Sequence, residues 1–65
     1  MINLTKLNKK EFILNGELIK FIENVPDTLI TLINGEKVFV LETSEEVILK
    51  VIEYNRMNKY IPELM

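Results

Sequence analysis

Hydrophobic and polar positions alternate in short runs through the first 41 residues, and the period then changes. Ile2, Leu4 and Leu7, with Thr5 between, predict a strand over residues 2–7. Asn8-Lys9-Lys10 is a tight polar connection, and Glu11-Phe12-Ile13-Leu14-Asn15 predicts the strand that returns from it. Asn15-Gly16 breaks the run, because glycine tolerates turn geometries closed to other residues. Leu18-Ile19-Lys20-Phe21-Ile22-Glu23 is ambiguous. Apolar residues at 18, 19, 21 and 22 suit a helical period as well as a strand. Its shortness, its Ile and Phe content and the turn signals on both sides favour a strand. Val25-Pro26-Asp27-Thr28 is the next turn, with Pro presetting φ at the second position and Asp suited to the third.

The stretch from Asp27 to Leu41 organises the chain. Two β-rich runs flank Asn34-Gly35, the strongest short-range hairpin signal. A two-residue type I′ turn there sets Ile33 opposite Glu36, Leu32 opposite Lys37, Thr31 opposite Val38, Ile30 opposite Phe39 and Leu29 opposite Val40. One sheet face then carries Leu29, Thr31, Ile33, Val38 and Val40, and the other Ile30, Leu32, Phe39 and Leu41. Neither face is polar, whereas a half-exposed antiparallel sheet alternates cleanly. Two readings are open: a curled sheet with a core inside and a helix on part of the outside, or a face that closes on a second subunit.

Thr43-Ser44-Glu45-Glu46 marks the change of period. Thr at the cap with Glu three residues on is the capping-box spacing, and Glu42, Glu45 and Glu46 suit the positive end of the helix dipole. The helix is predicted from Ser44 to Asn58. Val47, Val51 and Tyr54 share one side with Ile48 and Ile52, a stripe wide enough to cover a sheet face. Leu49 falls opposite, between Glu53 and Arg56, where it is either an ordinary exposed leucine or a subunit contact. Pro62 should stop the helix. The apolar tail Tyr60-Ile61-Pro62-Glu63-Leu64-Met65 either folds back over the sheet or docks elsewhere. The expected architecture is mainly β with one C-terminal α-helix: a five-stranded antiparallel meander, curled or barrel-like, packed against the helix. Residues 1–58 form the domain and 59–65 a C-terminal tail.

Sixty-five residues make one domain. A chain this short buries only about 60% of the surface its unfolded form exposes. The usual remedies are disulfides, a metal or oligomerisation. The sequence has no Cys and no His, so self-association is the remedy left, and 48% hydrophobic content suits it. Homo-oligomerisation, mainly through apolar sheet residues, is the expectation. Absence of Cys is compatible with the cytoplasm, the N-terminus lacks the apolar run of a signal peptide, and the longest uncharged run, Thr28 to Gly35, is too short to span a bilayer. A cytoplasmic protein with no transmembrane segment is expected. The net charge of −2 comes from eight basic and ten acidic residues, with the acidic excess confined to residues 34–65. That balance lacks the basic footprint of non-specific nucleic-acid binding.

The chemistry for catalysis is sparse. Ser44 is the single Ser and belongs to the helix start. Glu45 and Glu46 splay about 100° apart on a helix and clamp one metal ion poorly. Asn34-Gly35 lacks the surrounding spacing of a phosphate loop. No catalytic residue, cofactor or metal site is expected. Lys6, Lys9 and Lys10 form the one electropositive feature, either a solvated turn or a contact for an acidic protein patch, lipid head groups or RNA. Small β-barrels bind RNA by stacking bases on exposed aromatics, but Phe12, Phe21 and Phe39 lie inside apolar runs and are expected in the core. The candidate interaction residues are therefore Lys6, Lys9, Lys10, Leu29, Ile33, Val38, Val40 and Leu49.

Leu4-Thr5, Leu7-Asn8, Phe12-x-Leu14-Asn15, Ile22-Glu23, Pro26-Asp27-Thr28-x-Ile30-x-Leu32, Asn34-Gly35 and Glu42-x-Ser44-x-Glu46-Val47 together resemble the FlbD/SwrD family, small bacterial proteins encoded among flagellar genes. The resemblance covers about residues 1–56. One departure is Lys9, where the family usually has Gly after Asn8, which should change the preferred geometry of the first turn. The resemblance implies a role in flagellar motility, in particular swarming and the power delivered by the motor. It implies no catalysis and names no active-site residue. The reading that follows is a non-enzymatic motility protein working through contacts with a flagellar motor or associated protein, peripheral at the flagellar base. The alternative is a small-barrel RNA- or DNA-binding regulator of flagellar genes, using Lys6, Lys9 and Lys10.

Overall fold

Two copies of one turn shape the strands. The computed structural model describes residues 1–63, with side chains described through Arg56. At residues 32–36, the Leu32 N–H donates to the Glu36 carbonyl (2.7 Å), the Gly35 N–H donates to the Leu32 carbonyl (2.9 Å), and the Glu36 N–H donates to Asn34 Oδ1 (2.9 Å). At residues 6–10 the same three bonds recur. The Lys6 N–H donates to the Lys10 carbonyl (2.9 Å), the Lys9 N–H to the Lys6 carbonyl (2.8 Å), and the Lys10 N–H to Asn8 Oδ1 (3.0 Å). Each loop is three residues long, Leu7-Asn8-Lys9 and Ile33-Asn34-Gly35, and ends in a residue of positive φ: 72° at Lys9 and 92° at Gly35. This is a type I turn closed by a left-handed residue. Lys9 keeps the geometry of the glycine turn and accepts the backbone strain, so the expected change of turn does not occur.

The three-residue loop corrects the expected register by one. Thr28 pairs with Val40, Leu29 with Phe39, Ile30 with Val38 and Thr31 with Lys37. A type I′ turn needs positive φ at both central residues; Gly35 has it and Asn34 does not. A one-residue slip changes which side chains share a face. Val38 and Val40 therefore join Ile30 on the inner face, while Leu29 and Thr31 lie on the outer face with Phe39 and Lys37.

Five strands result: β1 (Ile2–Thr5), β2 (Glu11–Leu14), β3 (Ile19–Asn24), β4 (Thr28–Leu32) and β5 (Lys37–Val40). They form two antiparallel sheets, β1-β2 and β3-β4-β5. Lys6 bridges to Val40, and the Leu41 N–H donates to the Thr5 carbonyl at 2.8 Å, which stitches the end of β1 to the end of β5. The sheets do not close into a barrel. Between β2 and β3 the chain makes a 3-10 turn over Gly16–Leu18, started by the Asn15 side chain, which accepts from the Glu17 N–H at 3.0 Å. The β3–β4 register shifts between Ile19 and Phe21. That bulge sends Ile19 and Ile22 inward and Phe21 outward, and so accounts for the helix-like spacing of a segment that is a strand. The Val25-Pro26 peptide bond is cis.

The core is Ile2, Leu4, Leu14, Ile30, Val40 and Val47, with Phe12, Ile19, Ile22, Leu32, Val38, Val51 and Tyr54 packed around it. Helix α1 (Ser44–Glu63) supplies Val47, Val51 and Tyr54. Its start follows the expected capping box: the Glu46 N–H donates to Thr43 Oγ1 (3.1 Å), and the Thr43 N–H donates to Glu46 Oε1 (2.8 Å). The Ser44 hydroxyl donates to Asn24 Oδ1 at 2.6 Å and ties the helix to the end of β3. Gly16 lies under the helix, where an added Cβ would meet a Val51 methyl at 3.4 Å. The helix passes Asn58 and runs to Glu63, so the expected 59–65 tail falls largely within it. A proline in the last turn removes one backbone bond with little helix beyond it to disturb. Leu64 and Met65 lie outside the described residues.

Glu42 clasps the first sheet. Its Oε1 accepts from the Thr5 N–H and its Oε2 from the Thr5 hydroxyl, both at 2.9 Å. Partial burial pushes the Glu42 carboxyl up. Hydrogen bonds from the Thr5 N–H, from its own N–H and from the Thr5 hydroxyl, with the positive charge of Lys50, outweigh that and hold it below its ordinary value.

Replacing Lys9 by Gly removes left-handed strain from the first turn and should raise stability by about 1 kcal/mol, whereas Gly35→Ala should lower it by a similar amount; urea unfolding reads both. Because the Glu42 carboxyl is depressed in the folded state, its contribution is present above the ordinary glutamate range and is lost as pH falls through the lowered value. Glu42→Gln should therefore unfold at lower urea near neutral pH and lose that component of the acid-side decline. An unchanged pH profile would refute the clasp.

Candidate interaction surfaces

The outer face of β3-β4-β5 is built from two cross-strand rows. Glu23, Leu29 and Phe39 form one, and Phe21, Thr31 and Lys37 the other. Leu29 and Thr31, on the central strand, are shielded by their neighbours, while Phe21 is 53% and Phe39 41% exposed. The Lys20 Nζ lies 5.3 Å from the centroid of the Phe21 ring. Thr31 Oγ1 is buried and, among the described residues, has no hydrogen-bond partner. Ile33 stands exposed at the tip of the second turn and Leu41 just beyond β5.

A second apolar surface lies on the helix. Ile48 is 45%, Leu49 63% and Ile52 47% exposed. The expected stripe is thus narrower than its pattern implied: the helix buries Val47, Val51 and Tyr54, and Ile48 and Ile52 turn toward solvent beside Leu49. The reason is geometric. The sheets beneath are small, and only the side chains aimed straight at them find cover. An open apolar groove lined by Gly16, Ile19, Ile22, Ile48, Val51 and Ile52 runs along one flank of the helix, and a second, with Met1, Asn3, Leu49 and Glu53, along the other.

The candidate residues from the sequence separate accordingly. Val40 is fully buried and Val38 partly buried against the core, because the observed register turns both inward. Leu29 lies on the outer sheet face but beneath its neighbours, and Ile33 is exposed nearby. Leu49 is exposed with two apolar companions. Lys6, Lys9 and Lys10 are exposed at the first turn, with the Lys6 Nζ 5.6 Å from the Phe12 ring centroid. Phe21 and Phe39, expected in the core, are instead exposed. Correct pairing of β4 with β5 is the signal that would have found Phe39, and a bulge in β3 the one for Phe21.

Among the described residues no cluster of three His, Cys, Asp or Glu side chains could hold a metal ion. No described helix is long and apolar enough to cross a membrane. The Glu42 carboxyl, held below its ordinary value, is engaged on both oxygens by Thr5.

The fold and its surfaces define a small, mainly β protein with one C-terminal helix and more large hydrophobic side chains exposed than buried among the described residues, twelve against seven. The model of the FlbD family, flagellar and swarming motility proteins, matches residues 1–58, and the chain belongs to that family. No curated protein and no solved structure matches it.

Proposed function

We propose that this protein supports flagellar swarming, and the power delivered by the motor, through protein–protein contacts rather than by catalysis. Membership of a motility family supports the setting. The observation that carries the mechanism is the outer sheet face, where Phe21 and Phe39 stand exposed around Leu29 and a Thr31 hydroxyl with no partner among the described residues. Exposed aromatics on a rigid sheet are the usual anchors of a protein interface. The partner in this reading is a flagellar motor or associated protein, met from the cytoplasmic side at the flagellar base.

Phe21→Ser with Phe39→Ser removes exposed rings and should leave the fold intact by circular dichroism. It should abolish swarming as thoroughly as gene deletion, with filaments still assembled. Full swarming by the double variant would refute the sheet face as the contact, and loss of filaments on deletion would refute a role at the motor. A second reading is a nucleic-acid-binding regulator, favoured by Lys6, Lys9 and Lys10 exposed on one turn and by Lys20 over an exposed Phe21 ring. It predicts binding to flagellar transcripts that weakens steeply with salt; no binding at low salt would exclude it.

A further inference from the structure

We propose that two copies of this chain pair through the outward faces of α1, antiparallel about a two-fold axis, with Glu45 of each copy opposite Arg56 of the other. At about 100° per residue, the side of α1 turned away from Val47, Val51 and Tyr54 carries Glu45, Leu49 and Arg56, with Ile52 at its edge beside the groove over Ile19 and Ile22. Their spacing of four, three and four residues is that of a helix-pairing seam. Leu49 and Ile52 are the apolar centre of the seam, Ile48 flanks it, and all three are exposed. The seam is acidic at one end and basic at the other, and both end residues are exposed.

That distribution selects both the occupant and its direction. In an antiparallel pair Leu49 meets Ile52 of the second copy, and Glu45 meets Arg56 at both ends. A parallel pair would set Glu45 against Glu45 and Arg56 against Arg56. The helix is therefore complementary to its own reversed copy, as an isologous interface requires. Glu46 faces the rim and is held in the capping box, and Glu53 meets Ile48 at the rim, so neither opposes the pairing. Three turns of helix cover less than the roughly 800 Å² per partner of a standard interface, so the dimer is a weak one, in the micromolar range. The inference does not depend on the motility role: a strict monomer that still swarms would defeat it and leave the proposed function standing.

Sedimentation equilibrium of the full chain, from about 1 to about 500 µM, tests it. The wild type should pass from monomer to dimer across that range. Glu45→Arg and Arg56→Glu, each alone, put like charges at both ends and should raise the dissociation constant at least about tenfold. An equimolar mixture of the two variants should pair as well as the wild type, because each end then holds opposite charges. Leu49→Lys should be monomeric throughout, and circular dichroism checks that every variant keeps its helix. A monomeric wild type overturns the inference, as do single reversals that pair normally or a mixture that pairs no better than its components.

Discussion

The left-handed residue that ends each three-residue turn is the constraint on which the rest of the structure hangs. Positive φ at Lys9 and Gly35 closes each hairpin with an odd number of loop residues. An odd loop and an even loop differ by one in register, and in a sheet that difference changes which neighbours share a face. With the observed pairing, Ile30 and Val40 reach the centre of the core, where they meet Leu4 and Val47. With an even loop, Val40 would sit beside Leu29 on the far side and the helix would dock over a gap.

The core that this register assembles is small, and polar clasps complete it. Glu42 grips Thr5 by two bonds, Ser44 reaches Asn24, and Leu41 bonds back to Thr5. All three join segments far apart in sequence around the point where β5 gives way to the helix. They hold the two sheets and α1 at fixed angles where apolar area alone is limited. Gly16 allows the closest approach, since the helix rests on it through Val51.

Much of this was legible in the chain. The capping box at Thr43 and Glu46 was visible because it is local chemistry, independent of packing. The five strands were visible from their turn signals, and the family from motifs spread over the same residues. The register escaped because Asn-Gly serves a two-residue I′ turn and a three-residue turn equally well, and the choice rests on whether Asn34 also takes positive φ. Its side chain instead accepts from the Glu36 N–H, which stabilises the longer loop. The bulge at Lys20 was hidden for a related reason, since a single inserted residue looks like a helical period. The exposed Ile48 and Ile52 were hidden because periodicity gives a stripe's width but not the width of the surface available to cover it.

Part of the apolar surface left outside is gathered on two faces, while Met1, Leu7, Ile13, Leu18 and Val25 are exposed elsewhere. Strand edges are where β proteins aggregate. Here β3, an edge of its sheet, carries a bulge at Lys20 and a charge at Glu23, and β2 is only four residues long, starting at Glu11. The edges are thus guarded by the devices that block unwanted strand pairing. On the outer face Phe21 and Phe39 stay open to solvent between Glu23 and Lys37, and on the helix Leu49 does so between Glu45 and Arg56. Bulge, charge and shortness at the edges disfavour association through backbone pairing, so any contact made through the two faces would rest on side-chain shape and charge instead.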